Sequence, residues 1–122
     1  MKIQESAENY LEAILMIQQQ KGSCRSIDVA QFLEFSKPSV SRAMSLLREN
    51  GYVAMDDGGL LNLTDSGREI AERIFERHEL LTEWLTHLGV SPDTAQADAC
   101  RIEHVISVET FDRIKAFIAQ KD

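Results

Sequence analysis

Residues 36–53 have the sequence SKPSVSRAMSLLRENGYV, and this stretch decides the fold of the chain. Ser36 is a typical N-cap residue, and Pro38 stands in the first turn, where its missing N–H costs a helix little. Asn50-Gly51 is a strong stop signal. Between them the apolar residues recur at steps of three and four, namely Val40, Ala43, Met44 and Leu47. The stretch therefore predicts a helix that begins after Ser36 and stops at Asn50-Gly51.

Two further helical patterns precede this helix. Residues 4–20 carry apolar side chains at helical spacing and contain no Gly or Pro, which predicts a first helix from about Gln4 to Gln20. Ser26 is predicted to be the N-cap of a short second helix. Glu34-Phe35 then makes a brief turn before Ser36. The second and third helices are thus predicted to form a helix-turn-helix.

The spacing of apolar residues becomes strand-like after Gly51. Residues 52–55 (YVAM) and 60–63 (LLNL) flank the sequence DDGG, which predicts a β-hairpin with a glycine-containing turn. A helix-turn-helix followed by a hairpin is the element order of a winged helix-turn-helix. This order favours a DNA-binding function.

Three more helices are expected after the hairpin. Thr64 or Asp65 caps a long helix that reaches about Leu88 and is ended by Gly89. Ser91-Pro92-Asp93 opens the next helix, which is predicted to reach about Ile106, and Ser107 begins the last one. We therefore expect a mainly α fold with a winged helix-turn-helix domain at residues 1–70 and an all-helical domain at residues 71–122.

Composition limits the class of protein. The 122 residues are 43% hydrophobic and 27% charged, as in an ordinary globular domain. No stretch approaches the roughly 20 apolar residues of a membrane span, and the N-terminus lacks a signal sequence, so we expect a cytoplasmic protein with no membrane partner. Its two cysteines are then not expected to form a disulfide, and Cys24, in a turn, is expected to be structural.

The distribution of charge allows, but does not require, a nucleic-acid partner. The net charge of −7 argues against adhesion to DNA by charge alone. Residues 21–50, however, contain five basic and three acidic side chains, which makes this segment +2 and leaves −9 for the rest. An acidic body with one mildly basic segment fits a DNA-binding protein that is helped by bound cations.

The exposed face of the third helix carries the predicted DNA contacts. Small hydroxyl and basic side chains in the first turns of a recognition helix suit base edges and phosphates, and the helix N-terminus favours an anion. Arg42 is the best candidate for contacting a guanine or a phosphate. The acidic hairpin tip at residues 56–59 is unusual for a wing that contacts DNA. The predicted DNA-binding residues are Ser36, Lys37, Pro38, Ser39, Ser41 and Arg42.

A second candidate site lies at residues 100–104, which have the sequence CRIEH. Steps of three and four residues would place Cys100, Glu103 and His104 on one face of a helix that reaches Ile106. A thiolate, a carboxylate and an imidazole together suit a divalent transition metal. The pattern therefore predicts a metal site. Cys100 alone could equally be a small buried apolar residue.

Other helices offer further ligands. His78 lies midway along the long fourth helix, and Glu12 and Asn9 lie one turn apart on the first helix. Their side chains could add an imidazole and two oxygen ligands. The alternatives are that His78 is an ordinary helix residue and that Glu12 is a solvated charge.

The chain resembles the iron- and manganese-dependent repressors of the diphtheria toxin repressor and manganese transport regulator family. The resemblance covers nearly all 122 residues. Its carriers are ENYLEAI at 8–14, the stretch at 36–53, LTDSGREIAERIFERHELLTEWL at 63–85 and DACRIEHVIS at 98–107. It implies that Cys100, Glu103 and His104 are primary metal ligands and that His78 belongs to a neighbouring metal position.

The chain also departs from the family pattern. Glu12 is similar to the helix-one carboxylate of manganese-type members, whereas Asn9 stands where the family has Met or Asp, which puts its role as a ligand in question. Cys100 resembles the iron-type members, and manganese-type members have Glu there. This favours Fe(II) over Mn(II) as the cofactor. The sequence stops after the sixth helix, so we expect a short form without the SH3-like domain of the iron-type members. Thr82 and Gln96 stand at the ancillary-site positions of those members, so we expect that this site is not built in the same way.

The resemblance implies a metal-dependent transcriptional repressor that binds a palindromic operator on double-stranded DNA as a homodimer. No enzymatic activity and no small organic ligand are expected. The alternatives are a winged-helix regulator that senses oxidation through Cys100 without metal, and an interaction module that does not bind DNA. A metal-dependent hydrolase is disfavoured because no His-Glu-x-x-His pattern is present. The predicted dimerisation residues, some of which must also pack internally, are Val105, Ile106, Phe111, Ile114 and Phe117.

Overall fold

The computed structural model describes residues 5–121, with side chains from Ser6 to Gln120. Gln4, which the first predicted helix included, lies outside the described residues. Two compact units are present, the first up to Glu72 and the second from Arg73. The predicted order of elements and the mainly α class are confirmed. The elements are α1 (Glu5–Lys21), α2 (Ser26–Leu33), α3 (Lys37–Glu49), β1 (Val53–Met55), β2 (Leu61–Leu63), α4 (Asp65–His87), α5 (Pro92–Ile102) and α6 (Val108–Lys121).

The core of the first unit forms where α1 packs against α2, α3 and β2. Removing each large apolar side chain from water stabilises the fold by about 1.5–3 kcal/mol. The helical spacing in the sequence is thus explained by burial of one face of each helix. The fully buried side chains are Leu11 and Ile14 of α1, Val29 of α2, Val40 and Met44 of α3, and Leu61 of β2.

The start of α2 differs from the sequence prediction by one residue. Ser26 is the first helical residue rather than the N-cap, and Arg25 is the N-cap. The prediction was wrong because the Arg25 N–H donates to Asp28 Oδ2 at 2.9 Å, so the cap interaction comes from the acidic side chain three residues later. This hydrogen bond, together with Lys21 Nζ at 3.1 Å, lowers the pKa of Asp28 below its ordinary value.

The start of α3 follows the prediction. The Ser39 N–H donates to Ser36 Oγ at 3.3 Å, which confirms Ser36 as the N-cap. Glu34 has φ of 59°, in the left-handed region, and this conformation turns the chain between α2 and α3. At the other end Gly51 has φ of 82°, which favours glycine and ends the helix pattern as predicted.

The hairpin is hydrogen-bonded to the two residues that precede α2. Strands β1 and β2 are antiparallel, with Val53 opposite Leu63. The Leu61 N–H donates to the Cys24 carbonyl at 2.7 Å, and the Arg25 guanidinium donates to the Gly58 carbonyl at the hairpin tip. These contacts fix the wing against the helix-turn-helix.

The start of α4 requires a glycine that the sequence pattern did not single out. Thr64 Oγ1 accepts a hydrogen bond from the Gly67 N–H at 3.2 Å, and the Thr64 N–H donates to the Tyr52 carbonyl at 3.1 Å. A Cβ at position 67 would lie 2.0 Å from that same carbonyl oxygen. Only glycine therefore allows the helix start to approach Tyr52 so closely.

The second unit has a small apolar core, and its buried side chains include Ile74, Leu81, Ala95, Ala99 and Phe111. The prediction that α5 reaches Ile106 is wrong, since the helix ends at Ile102. Among residues 5–121, no helix is both long enough and apolar enough to span a membrane.

Candidate metal centre and DNA interface

Residues 103–107 form a turn between α5 and α6. The N–H groups of Val105 and Ile106 both donate to the Ile102 carbonyl, at 3.0 and 3.2 Å. Ser107 then caps α6, because its Oγ accepts from the Thr110 N–H at 3.0 Å. The helix that carries Cys100 ends at Ile102, and Glu103 is its C-cap with helical φ and ψ of −58° and −26°. The Glu103 N–H still donates to the Ala99 carbonyl at 2.9 Å, whereas His104 lies in the turn. The helix thus ends before the predicted Ile106, and the placement of the three side chains on one face stays a prediction.

The Arg77 side chain of α4 holds this turn. It is 7% exposed, and its Nη1 donates to the Glu103 carbonyl at 2.9 Å and to the Ile106 carbonyl at 3.3 Å. The Glu103 carbonyl, at the C-cap of α5, has no partner within the helix, and Arg77 supplies one. No role was predicted for Arg77, although it stands beside His78 in the motif at 63–85.

The Glu103 carboxylate lies at the centre of a cluster with two histidines. Its side chain is fully buried, Oε1 lies 3.3 Å from His78 Nδ1, and the same oxygen lies 3.9 Å from His104 Nε2. Oε2 is buried and accepts no hydrogen bond from the described residues. A buried carboxylate is costly unless its charge is compensated. A carboxylate between two imidazoles is a donor set that suits a divalent transition metal, so these residues fit the predicted metal.

The remaining predicted ligands differ in exposure. Cys100, in the last turn of α5, is exposed, so the alternative that it is a buried apolar residue is wrong. Glu12 of α1 is 4% exposed, so the alternative that it is a solvated charge is also wrong. Asn9, one turn earlier, is half-buried. Their coordination of a metal stays a prediction.

The first turns of α3 are arranged as a DNA-reading helix requires. Lys37, Ser41 and Arg42 are exposed, whereas Val40, Met44 and Leu47 are buried. Pro38 is exposed as well. The hydroxyls of Ser36 and Ser39 are 2.8 Å apart and take part in the helix cap. The side chains that best fit contact with a partner are therefore those of Lys37, Ser41 and Arg42.

The predicted dimerisation residues do not form one exposed face. Phe111 is 5% exposed, and its ring centroid lies 5.3 Å from the Arg77 guanidinium carbon. Ile106 and Ile114 are half-buried, while Val105 and Phe117 are 70% and 52% exposed. Val108, which the prediction omitted, is 62% exposed. Phe111 thus packs within its own protomer.

A winged helix-turn-helix followed by a helical unit with a buried carboxylate and imidazole cluster defines a metal-responsive DNA-binding regulator. Residues 2–59 match the N-terminal DNA binding domain of the iron dependent repressors, and residues 64–121 match their metal binding and dimerisation domain. The chain belongs to the iron-dependent repressor family. Its members are transcriptional repressors rather than enzymes, as expected, and metal binding disfavours the metal-independent oxidation sensor.

Individual relatives agree with this assignment. The transcriptional regulator MntR of Salmonella typhimurium is 34% identical over 116 residues, which are 95% of this chain and 74% of the relative. The regulator MntR of Geobacillus kaustophilus is 36% identical over 109 residues, or 89% and 77% of the two chains.

A solved manganese-dependent transcriptional repressor in complex with manganese superposes with a TM-score of 0.83 and 31% identity. The match covers 93% of this chain and 52% of that one, so this chain spans about half the length of the solved relative. These comparisons support a divalent metal cofactor. They do not support the expected preference for Fe(II) over Mn(II).

Proposed function

We propose that the protein is a cytoplasmic repressor that binds a palindromic DNA operator as a homodimer when Mn(II) or Fe(II) occupies the cluster around Glu103. The observation that carries the proposal is the buried Glu103 carboxylate between two imidazoles, with an oxygen that accepts no hydrogen bond from the described residues. A bound cation would compensate this buried charge. No small organic ligand is required.

The metal ligands of the second unit are Glu103, His104 and His78 in this proposal. The exposed thiol of Cys100, and Glu12 and Asn9 of α1, are further ligands that the family resemblance predicts. A bound metal supplies positive charge, which offsets part of the net charge of −7 and so reduces repulsion from phosphate. To raise the DNA-competent state from 1% to 99%, metal must favour it by about 5.5 kcal/mol.

The choice of metal rests on two opposing arguments. A thiolate at Cys100 would favour Fe(II), because a site with nitrogen and sulfur ligands binds Fe(II) more tightly than Mn(II). The name of the solved relative, a repressor in complex with manganese, favours Mn(II). Mn(II) is therefore the first ion to test, with Fe(II) under anaerobic conditions as the comparison.

Operator recognition is assigned to α3. Lys37, Ser41 and Arg42 would contact bases and phosphates, with Ser36, Pro38 and Ser39 forming the N-terminus that approaches the backbone. In a two-fold dimer the two recognition helices must match half-sites about 34 Å apart, or a multiple of that distance. The exposed Val105 and Phe117, with the half-buried Ile106 and Ile114, are the proposed dimer contacts.

Two ligand variants test the proposal. We expect Glu103→Ala and His104→Ala to abolish metal-dependent DNA binding, measured by fluorescence anisotropy on a fragment selected by the wild type. The matched control is Glu109→Ala, which removes an exposed carboxylate from the first turn of α6. The circular dichroism of all three variants should match the wild type. Wild-type operator affinity in both ligand variants would contradict the proposal.

A further inference from the structure

The Arg77 side chain connects the Glu103 cluster to the start of α6. Its Nη1 donates to the carbonyls of Glu103 and Ile106, which bracket His104 in the chain. Its guanidinium carbon lies 5.3 Å from the ring centroid of Phe111 in the first turns of α6. One buried side chain of α4 thus contacts both ends of the turn at residues 103–107 and the helix that follows it.

The hydrogen bonds of the turn to its flanking helices lie at its two ends. The N–H groups of Glu103, Val105 and Ile106 donate to carbonyls of α5, and Ser107 accepts from the N–H groups of Thr110 and Phe111 in α6. Arg77 is the side chain of α4 that donates to the Glu103 and Ile106 carbonyls between these ends. Nε of Arg77 is buried and donates no hydrogen bond to the described residues. The contribution of Arg77 is therefore concentrated in the two Nη1 hydrogen bonds and the contact with Phe111.

We propose that Arg77 is a positioning residue that presets the Glu103 carboxylate and the His104 imidazole for a metal ion. The inference rests on the proposed function of that cluster, and it names the residue that sets the cluster's geometry. A guanidinium suits this role because it is planar, stays charged, and donates in its plane while an aromatic ring packs on its face.

Electrostatics and positioning predict opposite effects for the loss of Arg77. A positive charge near the cluster repels a second cation, so removing the charge alone would tighten metal binding. Removing the hydrogen bonds would release the turn, and loss of an outer-sphere partner typically weakens metal binding about 10- to 100-fold. The sign of the change in metal affinity therefore decides between the two roles.

The experiment measures Mn(II) affinity by calorimetry for the wild type, Arg77→Met and Arg77→Lys. Arg113→Met is the matched control, because Arg113 is an exposed arginine of α6 in the same unit. We expect Arg77→Met to weaken Mn(II) binding about 10- to 100-fold. Arg77→Lys, which keeps the charge and can donate to a carbonyl, should recover part of the loss, and Arg113→Met should bind as the wild type does.

A second readout reports the geometry of the site. The visible absorption spectrum of bound Co(II) depends on ligand geometry, so we expect it to change in Arg77→Met and to return toward the wild type in Arg77→Lys. Unchanged or tighter Mn(II) binding by Arg77→Met would overturn the inference. If Arg77→Met does not fold, unchanged or tighter Mn(II) binding by Arg77→Gln, which removes the charge and shortens the side chain, would overturn it instead. A wild-type protein that binds neither Mn(II) nor Co(II) would contradict the proposed function itself.

Discussion

The N-terminus of α3 and the turn at residues 103–107 are organised in opposite ways. The contacts that shape the first are local, since Ser36 and Ser39 cap the helix three residues apart on an exposed surface. The contacts that shape the second join residues 25 to 29 positions apart, and they surround a fully buried carboxylate. The helix end that we propose to enter a DNA groove is exposed and is capped by its own residues, whereas the proposed metal centre is buried and is held by residues distant in sequence.

The two cysteines should show the largest difference between the units. Burial raises the pKa of Cys24 to about 12, and the nearby Asp28 carboxylate adds to the effect. At about pH 8 its thiolate fraction is then roughly 1000-fold smaller than that of an ordinary thiol. We expect iodoacetamide to label Cys100 in the folded protein and to leave Cys24 unmodified, as measured by mass spectrometry of peptides. Labelling in urea, where both should react, is the control.

Burial of Cys24 also makes the stability of the protein depend on pH. Because the pKa of Cys24 is higher in the folded than in the unfolded chain, its contribution to stability is complete below about pH 9 and is lost as the pH rises toward about 12.

The labelling experiment also tests the role of Cys100. If Cys100 is a metal ligand, added Mn(II) should slow its labelling. Equal labelling of the two cysteines in the folded protein would contradict the burial of Cys24.

The next largest effect is expected for Glu103→Gln. This change keeps the shape of the side chain and removes the buried charge, so the proposed metal site loses its central carboxylate. We expect Mn(II) affinity to fall by more than the about 100-fold that loss of an outer-sphere partner can cost. Calorimetry measures the affinity, and Arg42→Ala, in the other unit, should leave it unchanged. An affinity change in Arg42→Ala as large as that in Glu103→Gln would break the contrast between the two sites.

A smaller effect is expected for Arg42→Ala on DNA binding. Loss of a base or phosphate contact should weaken operator binding by about 1–3 kcal/mol, or roughly 5- to 150-fold. Arg48 lies in the last turn of the same helix, also exposed, and Arg48→Ala should have the weaker effect. Anisotropy titrations at constant salt and saturating Mn(II) compare the two. A greater loss of operator affinity in Arg48→Ala would show that the N-terminal end of α3 is not the end that contacts DNA.

The smallest effect concerns the cap of α3. Ser36→Ala removes the hydroxyl that accepts from the Ser39 N–H and should lower the free energy of unfolding by about 1 kcal/mol. Ser41→Ala, at an exposed position within the same helix, serves as the matched control and should change it little. Urea unfolding followed by circular dichroism measures both. Equal stability of the two variants would show that the cap hydrogen bond contributes nothing measurable.

Sequence patterns predicted the features that depend on neighbouring residues. The N-cap at Ser36, the stop at Gly51 and the two-stranded hairpin all follow from short-range preferences, and the structure agrees. The cap of α2 was displaced by one residue because Asp28 competes with Ser26 as the capping side chain.

Features that depend on distant residues escaped prediction. The turn after α5 is contacted by Arg77, whose partners lie 26 and 29 residues away in sequence. The need for Gly67 depends on where the Tyr52 carbonyl lies in the folded chain. Residue types at 100–104 therefore indicated a metal site, but its geometry required the contacts of α4.

The central claim is that a divalent metal controls DNA binding by this protein. The most direct test is anaerobic selection of fragments from the genome that encodes it, by the purified wild type without metal, with Mn(II) and with Fe(II). We predict that particular fragments are recovered only with metal, and the more effective ion then identifies the cofactor. Recovery of the same fragments with and without metal would contradict the account and would leave the Glu103 cluster with a structural role.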